Sequence, residues 1–212
     1  MWPDASQTIE LLDRAGQGDA AAVNGLLERH RTALRRMIEL RLDRQLQRRV
    51  DASDVVQDVL VEASRRLSEY LATRKLPFHL WLRQMARDRI IDAHRRHKVA
   101  GRRSIDREQS LAAPAFADQS AIDLLGQLRD RELTPAAAAT QHELELRFQA
   151  AVDRLDEPDR EVIAMRHFEQ LSNQEVAQAL GLSEPAAGMR YLRALRRLRA
   201  MFDEVPSLSG RA

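Results

Sequence analysis

Five arginines, Arg190, Arg193, Arg196, Arg197 and Arg199, fall within ten consecutive residues, with no acidic residue among them. Arginine carries a planar fork of donors that matches phosphate oxygens and the guanine edge in the major groove. On a helix, this run suits duplex DNA. By itself it suits a solvated face of an ordinary helical hairpin equally well. The residues before it shift the balance. Ser172-Asn173-Gln174-Glu175 is a capping box, which predicts a short helix to Leu180 that stops at Gly181. Ser183 then caps a longer helix to about Phe202. Val176, Ala177, Leu180 and Leu182 are small or apolar, as two closely crossing helices require. The whole reads as a helix-turn-helix whose second helix enters the major groove. Its first turn, with Pro185, Ala186 and Ala187, is poor in polar groups for reading bases, and Gly188 within it costs about 1 kcal/mol against alanine.

A second basic cluster lies earlier. Arg83, Arg87, Arg89, Arg95, Arg96, Lys98, Arg102 and Arg103 face only Asp88 and Asp92, enough to neutralise phosphates from one helical face. Just before it, Arg74 and Lys75 sit in a predicted loop flanked by Tyr70, Phe78 and Trp81. Basic residues interleaved with rings suit single-stranded nucleic acid, since bases stack on rings while cations hold the backbone. Phe78, Leu82 and Met85 also share one helical face with Trp81 beside it, so these rings fit a core as well.

Other chemistries find little support. The absence of cysteine excludes a disulfide framework, a thiol nucleophile and cysteine zinc sites. His94 and His97 could share a helical face, but Arg95, Arg96 and Lys98 around them would repel a metal ion. No carboxylate pair, P-loop, G-x-S-x-G or H-E-x-x-H is present. The expectation is a protein that is not an enzyme and needs no cofactor or metal. A dimeric helix-turn-helix repressor would explain the C-terminal half only. A membrane-surface basic helix explains Arg83 to Lys98 less well than a packed bundle does.

These groups must be held by helices. Of the 212 residues, 8 are Gly, 7 are Pro and 4% are aromatic, a composition that favours an all-α fold. The net charge is only +2, so the placement of the arginines matters more than their number. The segment Met1 to Gly18 lacks a secretory pattern, and no stretch approaches the roughly 18 apolar residues of a membrane span. A cytoplasmic location is expected. Helical stripes predict a short helix over Thr8 to Ala15, one from Ala20 to Arg44 capped by Asp19, one after Ser53 as cap, and one with Pro77 in its first turn. Together these predict a bundle over residues 5–100. Residues 101–134 read as a polar linker with a short helix over Ser120 to Leu133. Leu144, Phe148, Ala151, Val152 and Leu155 resume a stripe, and Asp156 to Asp159 starts a further helix, so residues 135–205 form a second helical domain.

Asp51-Ala52-Ser53-Asp54-Val55-Val56-Gln57-Asp58 resembles the region 2 signature of sigma-70-family factors. The run from Phe78 to Asp92 is similar to the next two family helices, with its Trp-Leu and Ile-Asp pairs. Leu155 to Arg199 resembles region 4. The resemblance covers residues 8–100 and 141–202, without region 1.1 or a full region 3, as in the extracytoplasmic-function type. It implies a promoter-specificity subunit that binds core RNA polymerase and promoter DNA. An anti-sigma factor is a further partner, and neither membrane insertion nor a small-molecule substrate is implied. Residue by residue, it implies polymerase docking by Asp54, Val55, Gln57, Asp58 and Glu62. It implies −10 contacts from Arg74, Lys75, Trp81, Arg83, Arg87, Arg95 and Arg96. For the −35 duplex it implies Glu184, Ala187, Met189, Arg190, Arg193 and Arg197. A linker that joins two DNA-reading domains raises affinity only when the promoter spacing matches its reach.

Overall fold

The computed structural model describes residues 2–42, 49–101, 148, 150–152 and 154–204. Every regular element among them is helical. The chain divides into two compact units, Met1–Pro114 and Ala115–Ala212. The expected linker, its short helix, Leu144 and Arg44 lie outside the described residues.

In the first unit, α1 (Ala5–Gly16) packs on α2 (Ala20–Glu39), and α2 packs on both α3 (Ala52–Thr73) and α4 (Phe78–Gly101). Local chemistry sets the ends. Asp19 caps α2 as expected, its carboxylate accepting from the Ala21 and Ala22 amides. The cap of α3 is Asp51, not Ser53: its carboxylate accepts from the Ser53 N–H at 2.7 Å and leaves Ser53 inside the first turn. Both residues are good caps, and the charged acceptor also meets the positive end of the helix dipole. α2 ends at Glu39, short of Arg44, because the chain turns at Leu40 and Arg41 to bury Leu42. Leu26, Leu34, Ile38, Val59, Ala63, Leu82 and Ala86 are fully buried together. Burying each larger apolar side chain contributes about 1.5–3 kcal/mol before entropy is counted.

Among the described residues, the second unit begins with helical ones around Phe148, Ala151 and Val152, all buried. α5 (Glu157–Ile163) follows, capped by Asp156 with Pro158 in its first turn. It runs into a π turn, Ala164–Phe168, in which the Glu169 amide reaches back five residues to the Ala164 carbonyl at 3.0 Å. α6 (Asn173–Leu180) has the full capping box, with Ser172 and Glu175 exchanging backbone contacts, and stops at Gly181 with φ 64°. Glycine enters that left-handed conformation without penalty. α7 (Glu184–Glu204) packs on α5 and α6. Ala187, Ala194, Leu198 and Phe202 form its inward stripe.

Candidate nucleic-acid interface

The loop between α3 and α4 is held in a defined shape. Arg74 ends α3 in a left-handed conformation, φ 38°, a region sparsely occupied by residues other than glycine. The Tyr70 hydroxyl donates to the Leu76 carbonyl at 2.9 Å, and the Pro77 carbonyl accepts from the Leu80 and Trp81 amides. Pro77 thus stands immediately before α4. Arg74 and Lys75 are exposed, and Arg74 pairs with Asp13 of α1 at 2.8 Å. Trp81 is half-buried, its ring 4.6 Å from Tyr70 and 5.5 Å from Phe78. It serves the core on one side and keeps part of its surface in solvent.

Along α4, Arg87, Arg95 and Arg96 are exposed. Arg83 is not: at 3% exposure it lies inside the unit, so it cannot be the surface phosphate contact that its charge suggested. It occupies the same side of α4 as the buried Leu82 and Ala86. Nearby, Trp2, His30, His79 and Phe78 pack ring to ring, with centroids 5.1–6.1 Å apart. His30 is fully buried. Thr8 donates its hydroxyl to the Asp4 carbonyl at 3.0 Å and lies in hydrogen-bond contact with the His30 Nε2 at 3.3 Å. Burial first, then the neighbouring His79 and Arg29, push the His30 pKa down to about 4.

On α3, Asp54, Gln57 and Asp58 are exposed, and the two acids lie one turn apart. Val55 points the other way and is buried in the core, so it supports this face without being part of it. Glu62 is engaged within the unit. Arg66 of α3 reaches it at 3.3 Å and Arg89 of α4 binds its other oxygen; the Arg89 hydrogen bond chiefly, with Arg66, lowers its pKa. Asp58, Val61, Glu62, Arg65, Arg66 and Arg89 line an open cleft of about 430 Å³.

In the second unit Glu184 opens α7, and its carbonyl accepts from the Asn173 side-chain amide at 2.9 Å. Met189 is 52% exposed. Arg190 is half-buried, and Arg193 is exposed with its Nε 3.4 Å from the Met189 carbonyl. Ala187 is fully buried and faces the domain, which removes it from the outer surface. Arg197 is engaged internally as well: it binds buried Asp159 at 2.6 Å and Asp156 at 3.1 Å, tying α7 to the start of α5. Of the expected −35 residues, Glu184, Met189, Arg193 and Arg197 are exposed, Arg197 while paired with Asp156 and Asp159, and Arg190 is half-buried.

The supporting residues were not legible beforehand. The π turn sets Arg166 over the Tyr191 ring, 5.4 Å from its centroid, and brings the His167 ring nitrogen into hydrogen-bond contact with the Tyr191 hydroxyl. Burial lowers the His167 pKa to about 4, so the imidazole stays neutral at ordinary pH. These contacts fix the roll of α7. Periodicity alone does not reveal them, because a π turn looks like helix in sequence.

Comparison with known proteins places these units. The family model of Sigma-70 region 2 matches residues 26–99, and that of Sigma-70 region 4 matches residues 145–198. RNA polymerase sigma factor NccH of Alcaligenes xylosoxydans xylosoxydans is 28% identical over 209 residues, covering 94% of this chain and 97% of the relative. RNA polymerase sigma factor CnrH of Cupriavidus metallidurans is 29% identical over 204 residues, covering 96% of this chain and 97% of the relative. The solved structure of CnrH in complex with the cytosolic domain of CnrY shares the fold: TM-score 0.58 and 24% identity, over 96% of this chain and 100% of that one.

Proposed function

Because the chain belongs to the sigma-70 family of RNA polymerase sigma factors, of the extracytoplasmic-function type, we propose a division of labour among the surfaces described above. The protein is a promoter-specificity factor that binds core RNA polymerase and directs transcription initiation at promoter DNA. It works by recognition, without a catalytic step of its own, and it meets the polymerase in the cytoplasm.

Asp54, Gln57 and Asp58 form the polymerase-docking face on α3, with acids suited to a basic partner surface. Arg74, Lys75 and the exposed part of Trp81 receive an unpaired −10 base, and Arg87, Arg95 and Arg96 hold the strand's phosphates. Unstacking a base costs a few kcal/mol, which a loop already shaped by the Tyr70–Leu76 hydrogen bond helps to offset. Glu184, Met189, Arg190 and Arg193 face the −35 duplex. CnrH has been solved with the cytosolic domain of CnrY; a protein that clasps both units of this chain would silence it.

The observation that carries the docking assignment is the exposure of Asp54 and Asp58 on a helix whose other acids, Glu62 and Glu69, are paired with arginines. Size-exclusion chromatography with sigma-free bacterial core polymerase tests it. Co-elution is expected for the native protein and its loss for an Asp54→Arg/Asp58→Arg variant shown to be folded. Failure of the native protein to co-elute would sink the reading.

A further inference from the structure

The outward face of α7 changes character along its length. Pro185, Met189, Leu192 and Arg196 follow at spacings of four, three and four residues, so they stack along one line of the helix. That line lies opposite the buried stripe of Ala187, Ala194, Leu198 and Phe202. Its first two turns are apolar: Pro185 and Ala186 are exposed, Met189 is 52% exposed and Leu192 is 45% exposed. Its later turns are basic, with Arg193 and Arg196 exposed beside or on the same line. Two of the four large exposed hydrophobic side chains among the described residues therefore stand on this one face.

A helix that enters the major groove meets base edges with its first turns and phosphates with the flanking positions. From Glu184 to Arg190 the sequence contains no Asn, Gln, Ser, Thr or Lys, so hydrogen-bond readout has few donors there. Arg190 is half-buried, and Arg193 Nε is directed at the Met189 carbonyl. The base-edge feature that an apolar side chain recognises is the C5-methyl group of thymine.

We propose that α7 reads the −35 duplex through thymine methyl groups, with Met189 as the discriminating side chain, Ala186 and Leu192 beside it, and Arg193 and Arg196 on the phosphates. This deepens the −35 assignment above and rests on it. Glu184 contributes by refusing bases that present an acceptor at its position. The apolar face, otherwise unfavourable in water, is covered when the helix docks.

The test uses the full chain assembled with core polymerase. Initiation from a promoter library with a randomised −35 segment first gives the selected sequence. Each thymidine in it is then replaced by deoxyuridine, which keeps every hydrogen-bonding group and removes only the methyl. Loss of about threefold to fivefold is expected at one or more positions, the scale of one buried methyl. A Met189→Ala variant, substituted at an exposed site, should no longer distinguish thymidine from deoxyuridine there. An undiminished deoxyuridine penalty in that variant would overturn the role of Met189. No deoxyuridine effect, with scrambling of the selected segment still lowering initiation, would overturn methyl readout and leave −35 recognition standing. If scrambling has no effect either, the inference falls together with the assignment beneath it.

Discussion

The two units place their charges differently. In the first, arginines pair with acids at the surface: Arg14 with Asp19, Arg35 with Glu39, Arg66 with Glu62 and Glu69, Arg74 with Asp13. In the second, Arg197 bonds to Asp159, whose carboxylate is only 8% exposed. A surface pair holds a side chain in place and adds little to stability, whereas a buried carboxylate that loses its partner is left uncompensated. The larger unit closes over a broad apolar core. The smaller one adds an ion pair that ties α7 to the start of α5.

Core truncation should show the largest effects and should be similar in both. Leu82 and Leu198 are fully buried, so Leu82→Ala and Leu198→Ala should each cost about 2–5 kcal/mol. Both tryptophans, Trp2 and Trp81, lie in the first unit. Their fluorescence during urea unfolding reports Leu82→Ala, and far-UV circular dichroism reports Leu198→Ala. A cost under about 1 kcal/mol for Leu198→Ala would mean that the second unit does not depend on its apolar core.

Acid should weaken the first unit through His30. Its folded pKa is about 4 against an ordinary 6.5, so between these values the unfolded chain holds a proton that the folded chain refuses. Stability is therefore unaffected by this group above pH 6.5 and falls as pH drops toward 4, by about 3 kcal/mol at most. In His30→Gln the tryptophan-monitored stability should change less across that window than in the native protein. An identical slope would exclude His30 as the cause.

The smallest effects test the ion pairs directly. Arg197→Ala should destabilise the second unit more than Arg66→Ala destabilises the first, because Asp159 stays buried without its partner. Arg66→Ala should cost the first unit about 0.5 kcal/mol, since its partners are exposed or held by Arg89 as well. Equal costs in thermal unfolding would erase the distinction between the units.

What was legible in sequence was local. The Asp19 cap, the Ser172 capping box and the Gly181 stop each depend on residues within three or four positions, and the two-unit all-helical fold follows from such signals with the apolar stripes. The choice of Asp51 over Ser53 was not, because both are competent caps only two residues apart. Ala187 could have been placed inside by extending the stripe of Ala194, Leu198 and Phe202 backwards. The surroundings of Arg83 and Arg197 escape the sequence for a different reason. Charge type predicts solvent or ligand, and only tertiary contact reveals that Arg197 meets an acid 38 residues away. Of the residues expected at the site, Val55, Arg83 and Ala187 are buried inside their units.

The π turn at Ala164–Phe168 bears on how this chain can change over evolutionary time. A π turn accommodates one residue more than an α turn. Excising that residue would restore an ordinary turn and rotate whatever follows by roughly 100° about the helix axis. Arg166 and His167 would then swing away from Tyr191. The capped helix and the reading helix after it would have to be re-seated together. The π turn is thus hard to remove while Arg166 and His167 both rest on Tyr191.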